Sequence, residues 1–371
     1  MLGLLNARWP QRLAALPWAM VALVAGLGLF GAVVLYAAAG GRLEPWAANH
    51  LMRLGAFLLL MLGLSQVPLG WWLRAALPLY ALVLAGLVLV ELVGAVRGGA
   101  QRWLDLGIIG LQPSELMKIA LVLALARFYH ALPEGYVGRL AGLAPPLVLI
   151  LIPVGLLLVQ PDLGTALTLV AGGLAVMFLA GLPLLYLLVP AAVGAAALPL
   201  VFQLLHPYQQ KRVLTFLDPS VDPLGAGYHI TQSKIAIGSG GLFGRGFLQG
   251  TQAPLDYLPE RHTDFVFATM AEEWGLAGGL AVLLAYGLLL GWGVRVALAS
   301  ESVFARLLAG GLVVTIFLYV AINMAMVMGM APVVGIPLPL VSYGGNAMLT
   351  VMLAFGILLS LWRERDRAVI G

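Results

Sequence analysis

The chain has 371 residues, of which 62% are hydrophobic and 10% are charged, and its mean hydropathy is +1.01. A soluble domain of this size carries about 25% charged residues, so the composition excludes a soluble globular enzyme, a disordered chain and a coiled coil. Cysteine is absent, which removes disulfides, thiolate metal ligands and a cysteine nucleophile. What remains is an all-α integral membrane protein. At about 20 apolar residues per span, the length accommodates about ten transmembrane helices.

Charge-free windows place the spans in chain order. Leu13 to Gly41 carries no charge over 29 residues, too long for the apolar region of a signal peptide, and forms an uncleaved first helix. Leu54 to Leu73 and the stretch from Arg74 to about Gly94 give the second and third, Pro113 to about Ala131 the fourth, and Leu140 to Pro161 the fifth. Leu163 to Gln210 is charge-free for 48 residues, enough for two spans that break at Gly181-Leu182-Pro183. Asp264 to about Val294 is the eighth. Leu307 to Trp362 holds the last two, separated by the Pro/Gly-rich stretch Ala331 to Asn346.

An even number of spans puts both termini on one side. That side holds Arg8, Arg12, Arg74, Arg127, Arg139, Arg295, Arg306, Arg363, Arg365 and Arg367, whereas the short opposite loops hold Arg42, Arg53, Arg97 and Arg102. The bias places both termini in the cytoplasm. One large extracytoplasmic loop, residues 206–263, then joins helices 7 and 8. It carries five cations (Lys211, Arg212, Lys234, Arg245 and Arg261), and translocates because loops of this length obey the charge rule poorly. No repeat or linker divides the chain, so residues 1–371 read as a single polytopic domain.

Ionisable groups inside spans are expensive and mark function by default. Glu115 and Lys118 lie three residues apart on the fourth helix and can pair, either as a structural lock or as the lining of a polar cavity. Asp162, in Gln160-Pro161-Asp162-Leu163-Gly164-Thr165, suits a helix N-cap as well as a substrate or metal role. The glycine-rich run from Ser233 to Gly246 permits close backbone approach to an anion, but it lacks the Gly-Lys-Ser/Thr ending of a nucleotide loop. Asp264 opens the eighth helix, where it could cap; residues 264, 268 and 272 would share a face, putting Glu272 about 12 Å along it. Glu272 and Glu273 cannot both face lipid. His229 and His262 could act as bases near neutral pH, against the plainer reading of surface or capping groups.

Several of these segments together resemble one family. Leu258-Pro259-Glu260-Arg261-His262-Thr263-Asp264-Phe265, Gln160 to Thr165, and Pro337 to Gly345 (Pro-Leu-Pro-Leu-Val-Ser-Tyr-Gly-Gly) are similar to the signatures of the shape, elongation, division and sporulation (SEDS) family. So are Arg102-Trp103-Leu104, Gln112-Pro113-Ser114-Glu115 and the stretch from Asp222 to Gly246. The resemblance spans the whole chain and is closer to the elongation branch than to the division branch. Asn346 stands where the family has serine, and Asp256 where it more often has glutamate.

The resemblance implies a peptidoglycan glycosyltransferase that polymerises lipid II at the outer face of the cytoplasmic membrane, beside a class B penicillin-binding protein. It carries the essential aspartate onto Asp264 and a sensitive tryptophan onto Trp103. It also associates a divalent cation, magnesium or manganese, with the activity, without a ligand set. Polymerisation needs a base for the acceptor 4-hydroxyl and cations for the leaving pyrophosphate. Asp264 is the candidate base, with Trp103, Glu115, Lys118, Asp162, Lys211, Arg212, Lys234, Arg245, Arg261, His262 and Glu272 as candidate substrate-binding residues. Inversion from an α- to a β-linkage requires only one in-line displacement. A transporter of lipid-linked precursors and a non-catalytic anchor for the penicillin-binding protein are the rival readings. Membrane lipid is an expected partner and nucleic acid is not.

Overall fold

The computed structural model describes residues 13–97, 100–105, 107, 110–133, 135–204, 207–222, 225–251 and 260–368. Arg8, Arg12 and Asp256 lie outside them. Helices dominate: α1 (Trp18–Ala38), α2 (Ala47–Leu64), α3 (Leu69–Val93), α4 (Pro113–Ala131), α5 (Leu140–Val159), α6 (Leu163–Leu179), α7 (Leu185–Ala196), α8 (Leu198–Leu204), α9 (Pro207–Leu217), α10 (Ala226–Ser239), α11 (Val266–Leu298), α12 (Val303–Val327) and α13 (Gly345–Ala368). Among the described residues seven are long and apolar enough to cross a membrane: α1, α2, α3, α5, α11, α12 and the first twenty residues of α13. This is a multi-pass helical membrane architecture.

α4 is the hub. Pro113 starts it, its missing N–H costing nothing at a first-turn position. Nearly every residue from Pro113 to Ala126 is then buried against α3, α5, α6, α12 and α13. A helix carrying Glu115, Lys118 and Arg127 cannot face lipid, and the bundle encloses it.

Three expectations need correction. The second helix ends at Leu64 rather than Leu73, because Pro68 caps the start of α3; Arg53 therefore lies inside α2, and Arg74 inside α3. The chain is not wholly helical: β1 (Ala95–Arg97), β2 (Ala100–Asp105) and β3 (Gly110–Leu111) form an antiparallel sheet, in that order. Ala95 pairs with Trp103, and Leu104 with Leu111. The stretch expected as one long loop is largely built from α9, a 3-10 turn (Pro219–Val221) and α10, which packs on α11 and α12. The break at Gly181-Leu182-Pro183 is present, and beyond it the seventh span is divided into α7 and α8, with Pro199 unable to continue an α-helix from the preceding turn. No residue of α7 is buried.

α11 is itself broken at Gly275 (φ 65°, ψ −162°). The break strands two carbonyls and two N–H groups, which in lipid must find partners within the protein. Residues 241–246 supply them. Arg245 N and Gly246 N donate to the carbonyls of Glu272 (3.0 Å) and Glu273 (3.1 Å), while Leu276 N and Ala277 N donate to those of Gly241 (2.9 Å) and Leu242 (3.0 Å). The glycine run thus serves as a backbone splint for a broken helix. Gly244 has φ +80°, and a Cβ there would collide with the Glu273 carbonyl.

Gly244→Ala is expected to lower the thermal unfolding midpoint of the detergent-solubilised protein. Gly238→Ala, in the last turn of α10 with open space around its Cα, should match or exceed the parent, because Ala is favoured over Gly in a helix by up to about 0.5–1 kcal/mol. Equal stability of Gly244→Ala and the parent would contradict the splint.

Candidate active site

The turn Glu260–Phe265 leads into α11 and is fixed by its own backbone. Thr263 N and Phe265 N both donate to the Glu260 carbonyl at 3.2 Å, and Thr263 Oγ1 donates to Glu260 Oε2 at 2.6 Å. The next three carbonyls are then taken in succession by the segments around α12 and α13. Tyr343 N donates to His262 O (2.8 Å), Ser342 Oγ to Thr263 O (2.6 Å) and Asn323 Nδ2 to Asp264 O (2.9 Å). On the other side Arg261 Nε donates to Ala38 O at the end of α1 (3.0 Å), and its guanidinium lies over the Trp46 ring. The His262 ring stacks on the same tryptophan, with centroids 4.2 Å apart and planes within 7°.

On this fixed backbone the Asp264 side chain is half-buried. Gly335 (φ +76°) faces it: a Cβ at that glycine would lie 3.6 Å from Asp264 Oδ2. Asp264 is not the cap of α11. The capping position is Phe265, and no side chain caps it. Nor does the 264-268-272 stripe extend to Asp264, since helical geometry begins at Val266. Glu272 is fully buried and faces the segment after α10, where its Oε1 accepts from Thr251 N (2.8 Å) and Thr251 Oγ1 (2.9 Å) and lies 3.8 Å from Arg245 Nε.

A second polar cluster lies deeper. Lys118 Nζ is 2.5 Å from Glu115 Oε1 and donates to the Tyr319 hydroxyl at 2.7 Å; that hydroxyl donates in turn to the other Glu115 oxygen. Tyr319 and Asn323 are four residues apart on α12, so the triad sits about 6 Å along the helix from the group holding Asp264. Asp162 is 5% exposed and caps α6 through Thr165 N (3.4 Å). Arg102 Nη1 approaches Asp162 to 3.8 Å, while Arg102 also donates to the carbonyls of Gln160 and Pro161. Trp103 follows on β2, half-buried. Asn346 bridges the two flanks of this segment, its Oδ1 accepting from Gln112 N (3.3 Å) and its Nδ2 donating to Gly110 O (3.1 Å).

The remaining cations are placed elsewhere. Lys211 pairs with Asp222 at 3.1 Å, Arg245 serves Glu272 and Thr251, and Lys234 is exposed on α10 beside Gly329. The side chain of Arg212, in α9, lies outside the described residues. Sequence reasoning missed Trp46, Tyr319 and Asn323, quoted Ser342 and Tyr343 only within the Pro337–Gly345 motif, and left Arg53, now found over the Tyr343 ring at 4.9 Å, without a role. Neutral polar groups inside the charge-free stretch 307–362 were the available signal. Among the described residues no three His, Asp or Glu side chains converge on a metal. These residues therefore offer no closed protein cage for the divalent cation that the resemblance implies.

The helical bundle and this constellation define a polytopic membrane protein with a carboxylate site at the start of a long helix. The FtsW/RodA/SpoVE model, described as cell cycle protein, matches residues 15–367, and the chain belongs to that family. Peptidoglycan glycosyltransferase MrdB of Escherichia coli strain K12 is 46% identical over 352 residues, covering 93% of each chain. A chain from a peptidoglycan synthase complex, described as coordinating polymerization and crosslinking, superposes with a TM-score of 0.82 at 37% identity, covering 94% of this chain and 98% of that one. Rod shape determining protein RodA of Thermus thermophilus gives 0.71 at 34%, covering 94% and 97%.

One imidazole, His262, belongs to the turn and a second, His229, approaches it. The ring of His229, on α10, lies 6.0 Å from that of Phe265. Burial lowers both His262 and His229 below the ordinary 6.5; Glu260 opposes the shift at both, with Asp222 also opposing it at His229 and Arg261 reinforcing it at His262. Between 6.5 and those lower values the unfolded chain binds more protons than the folded one. Their contribution is therefore complete above about pH 6.5 and is lost as pH falls. The unfolding midpoint should drop between about pH 7.5 and about pH 5, and His262→Gln should shrink that drop. An identical pH dependence in parent and variant would contradict the assignment for His262.

Proposed function

We propose that this chain, a peptidoglycan glycosyltransferase, polymerises lipid II at the outer face of the cytoplasmic membrane during cell elongation, with Asp264 as general base. The observation that carries the reading is a half-buried carboxylate on a turn whose backbone is held from α1, α12 and the segment before α13. In the reaction the acceptor 4-hydroxyl oxygen attacks the donor anomeric carbon, Asp264 takes the hydroxyl proton, and the bond to the pyrophosphate breaks with its electron pair on the leaving group. One displacement inverts the α-linkage to β without a covalent sugar–enzyme intermediate. Holding the base in place beforehand replaces entropy that free reactants would lose at the transition state.

Charge must also be neutralised on the departing pyrophosphate. Arg261 belongs to the same turn as the base, and Lys118 lies a helical turn from its support; these two are assigned to the leaving group. Arg212 and Lys234 are assigned to the glycan or its peptide, together with Trp103 on β2 and Asp162 at the α5–α6 junction. Lys211 and Arg245, already engaged with Asp222 and Glu272, are assigned to ordering the outward segment beneath the substrate. α4, α6 and the α7–α8 pair complete ten crossings with the seven long spans, which puts both termini in the cytoplasm under the arginine bias. A class B penicillin-binding protein beside the bundle supplies crosslinking; the likeness to a chain of a peptidoglycan synthase complex supports that partner.

Purified protein, alone and with its partner, is expected to convert lipid II to glycan polymer in detergent. Asp264→Asn should retain its folding and membrane insertion but lose polymerisation by about 100-fold or more, the scale of a general-base contribution. Polymer formed by Asp264→Asn at the parent rate would overturn the assignment of the base. Translocation of lipid II in vesicles without any polymer would favour a transporter instead.

A further inference from the structure

We infer that Asn323 is the positioning residue of the proposed base, fixing the two walls between which the Asp264 carboxylate stands. The inference rests on the reading of Asp264 as base, and goes beyond it by naming what sets the carboxylate's place. Asn323 lies on α12 in a stretch of apolar residues and is 0% exposed. Its Nδ2 donates twice, to Asp264 O at 2.9 Å and to Ile336 O at 2.7 Å. An amide has two N–H donors, so both are used and the orientation of the side chain is fixed by them.

The two acceptors are the two sides of the site. One is the main chain of Asp264 itself. The other is the residue after Gly335, whose Cα faces the Asp264 carboxylate closely enough that a Cβ would lie 3.6 Å from Oδ2. A single side chain therefore sets the separation between the base and the backbone opposite it. Its remaining atom, Oδ1, is buried without a hydrogen-bond partner among the described residues. Leaving an acceptor stranded in the interior is costly. The amide is kept despite that cost by the two carbonyls it joins, and those carbonyls belong to the two sides of the site.

The experiment compares lipid II polymerisation by the purified parent, Asn323→Ala, Asn323→Ser and Asp264→Asn, with kcat, KM, the pH–rate profile and the unfolding midpoint measured for each. Serine keeps one donor in a smaller side chain and gives a folded comparison should alanine be too unstable to purify. The expected result is a kcat lowered about 100-fold in Asn323→Ala, the scale of a small misplacement of a reacting group. Serine should lie between alanine and the parent, KM should stay within about twofold, and the apparent pKa of the acid limb should be displaced. A merely structural asparagine would lower the midpoint and the active fraction but leave the acid limb in place, and that outcome overturns the inference. If Asp264→Asn is inactive while the Asn323 variants keep the parent's kcat and pH profile, the positioning role falls and the base stands. If Asp264→Asn is active, the base falls first and the inference with it.

Discussion

Three consecutive peptide carbonyls, those of His262, Thr263 and Asp264, each accept a hydrogen bond from a different donor: a backbone N–H, a serine hydroxyl and an asparagine amide. The turn at the mouth of α11 owes its shape to those bonds. A loop carbonyl next to bulk water would be solvated at little cost, and the chain would be free to move. Donors brought by α12 and the segment leading into α13 hold the turn instead. The half-buried aspartate inherits a fixed position from a backbone that cannot drift, and both the proposed chemistry and the role given to Asn323 follow from that constraint.

The same helix carries the deeper cluster. Tyr319 closes a triad with Glu115 and Lys118, so every charge on the buried face of α4 near its start has a partner. Burying two ions is expensive, and removing one partner of such a pair leaves a stranded charge at a cost of about 3–5 kcal/mol. The cluster therefore holds α4 and α12 in one relative placement, which in turn sets where Asn323 stands one helical turn away. Packing inside the bundle and geometry at the mouth of α11 are linked through a single helix.

The legible part of the fold was its apolar spans. Pro113 marked the start of α4, Leu140 that of α5 and Leu163 that of α6, because prolines, charges and capping groups punctuate those ends. Where charge alone was used as punctuation the boundary slipped: Arg53 and Arg74 lie inside helices, and the true break is Ser65–Pro68. The splint of residues 241–246 was unreadable, since a glycine run looks the same whether it cradles an anion or a broken helix. Asp264, Glu115 and Lys118 stood out as ions in an apolar chain. Asn323, Tyr319 and Ser342 did not, because uncharged polar residues are common in membrane helices, and only the three-dimensional partners reveal which of them matter.

The most direct measurement is a structure of the protein holding a glycan acceptor and an unreactive lipid II donor in its site. It should show the acceptor 4-hydroxyl about 2.6–3.2 Å from an Asp264 carboxylate oxygen, with the Asn323 bonds to Asp264 and Ile336 intact. An acceptor hydroxyl out of hydrogen-bonding reach of Asp264, directly or through one water, and served by a different side chain would contradict the account.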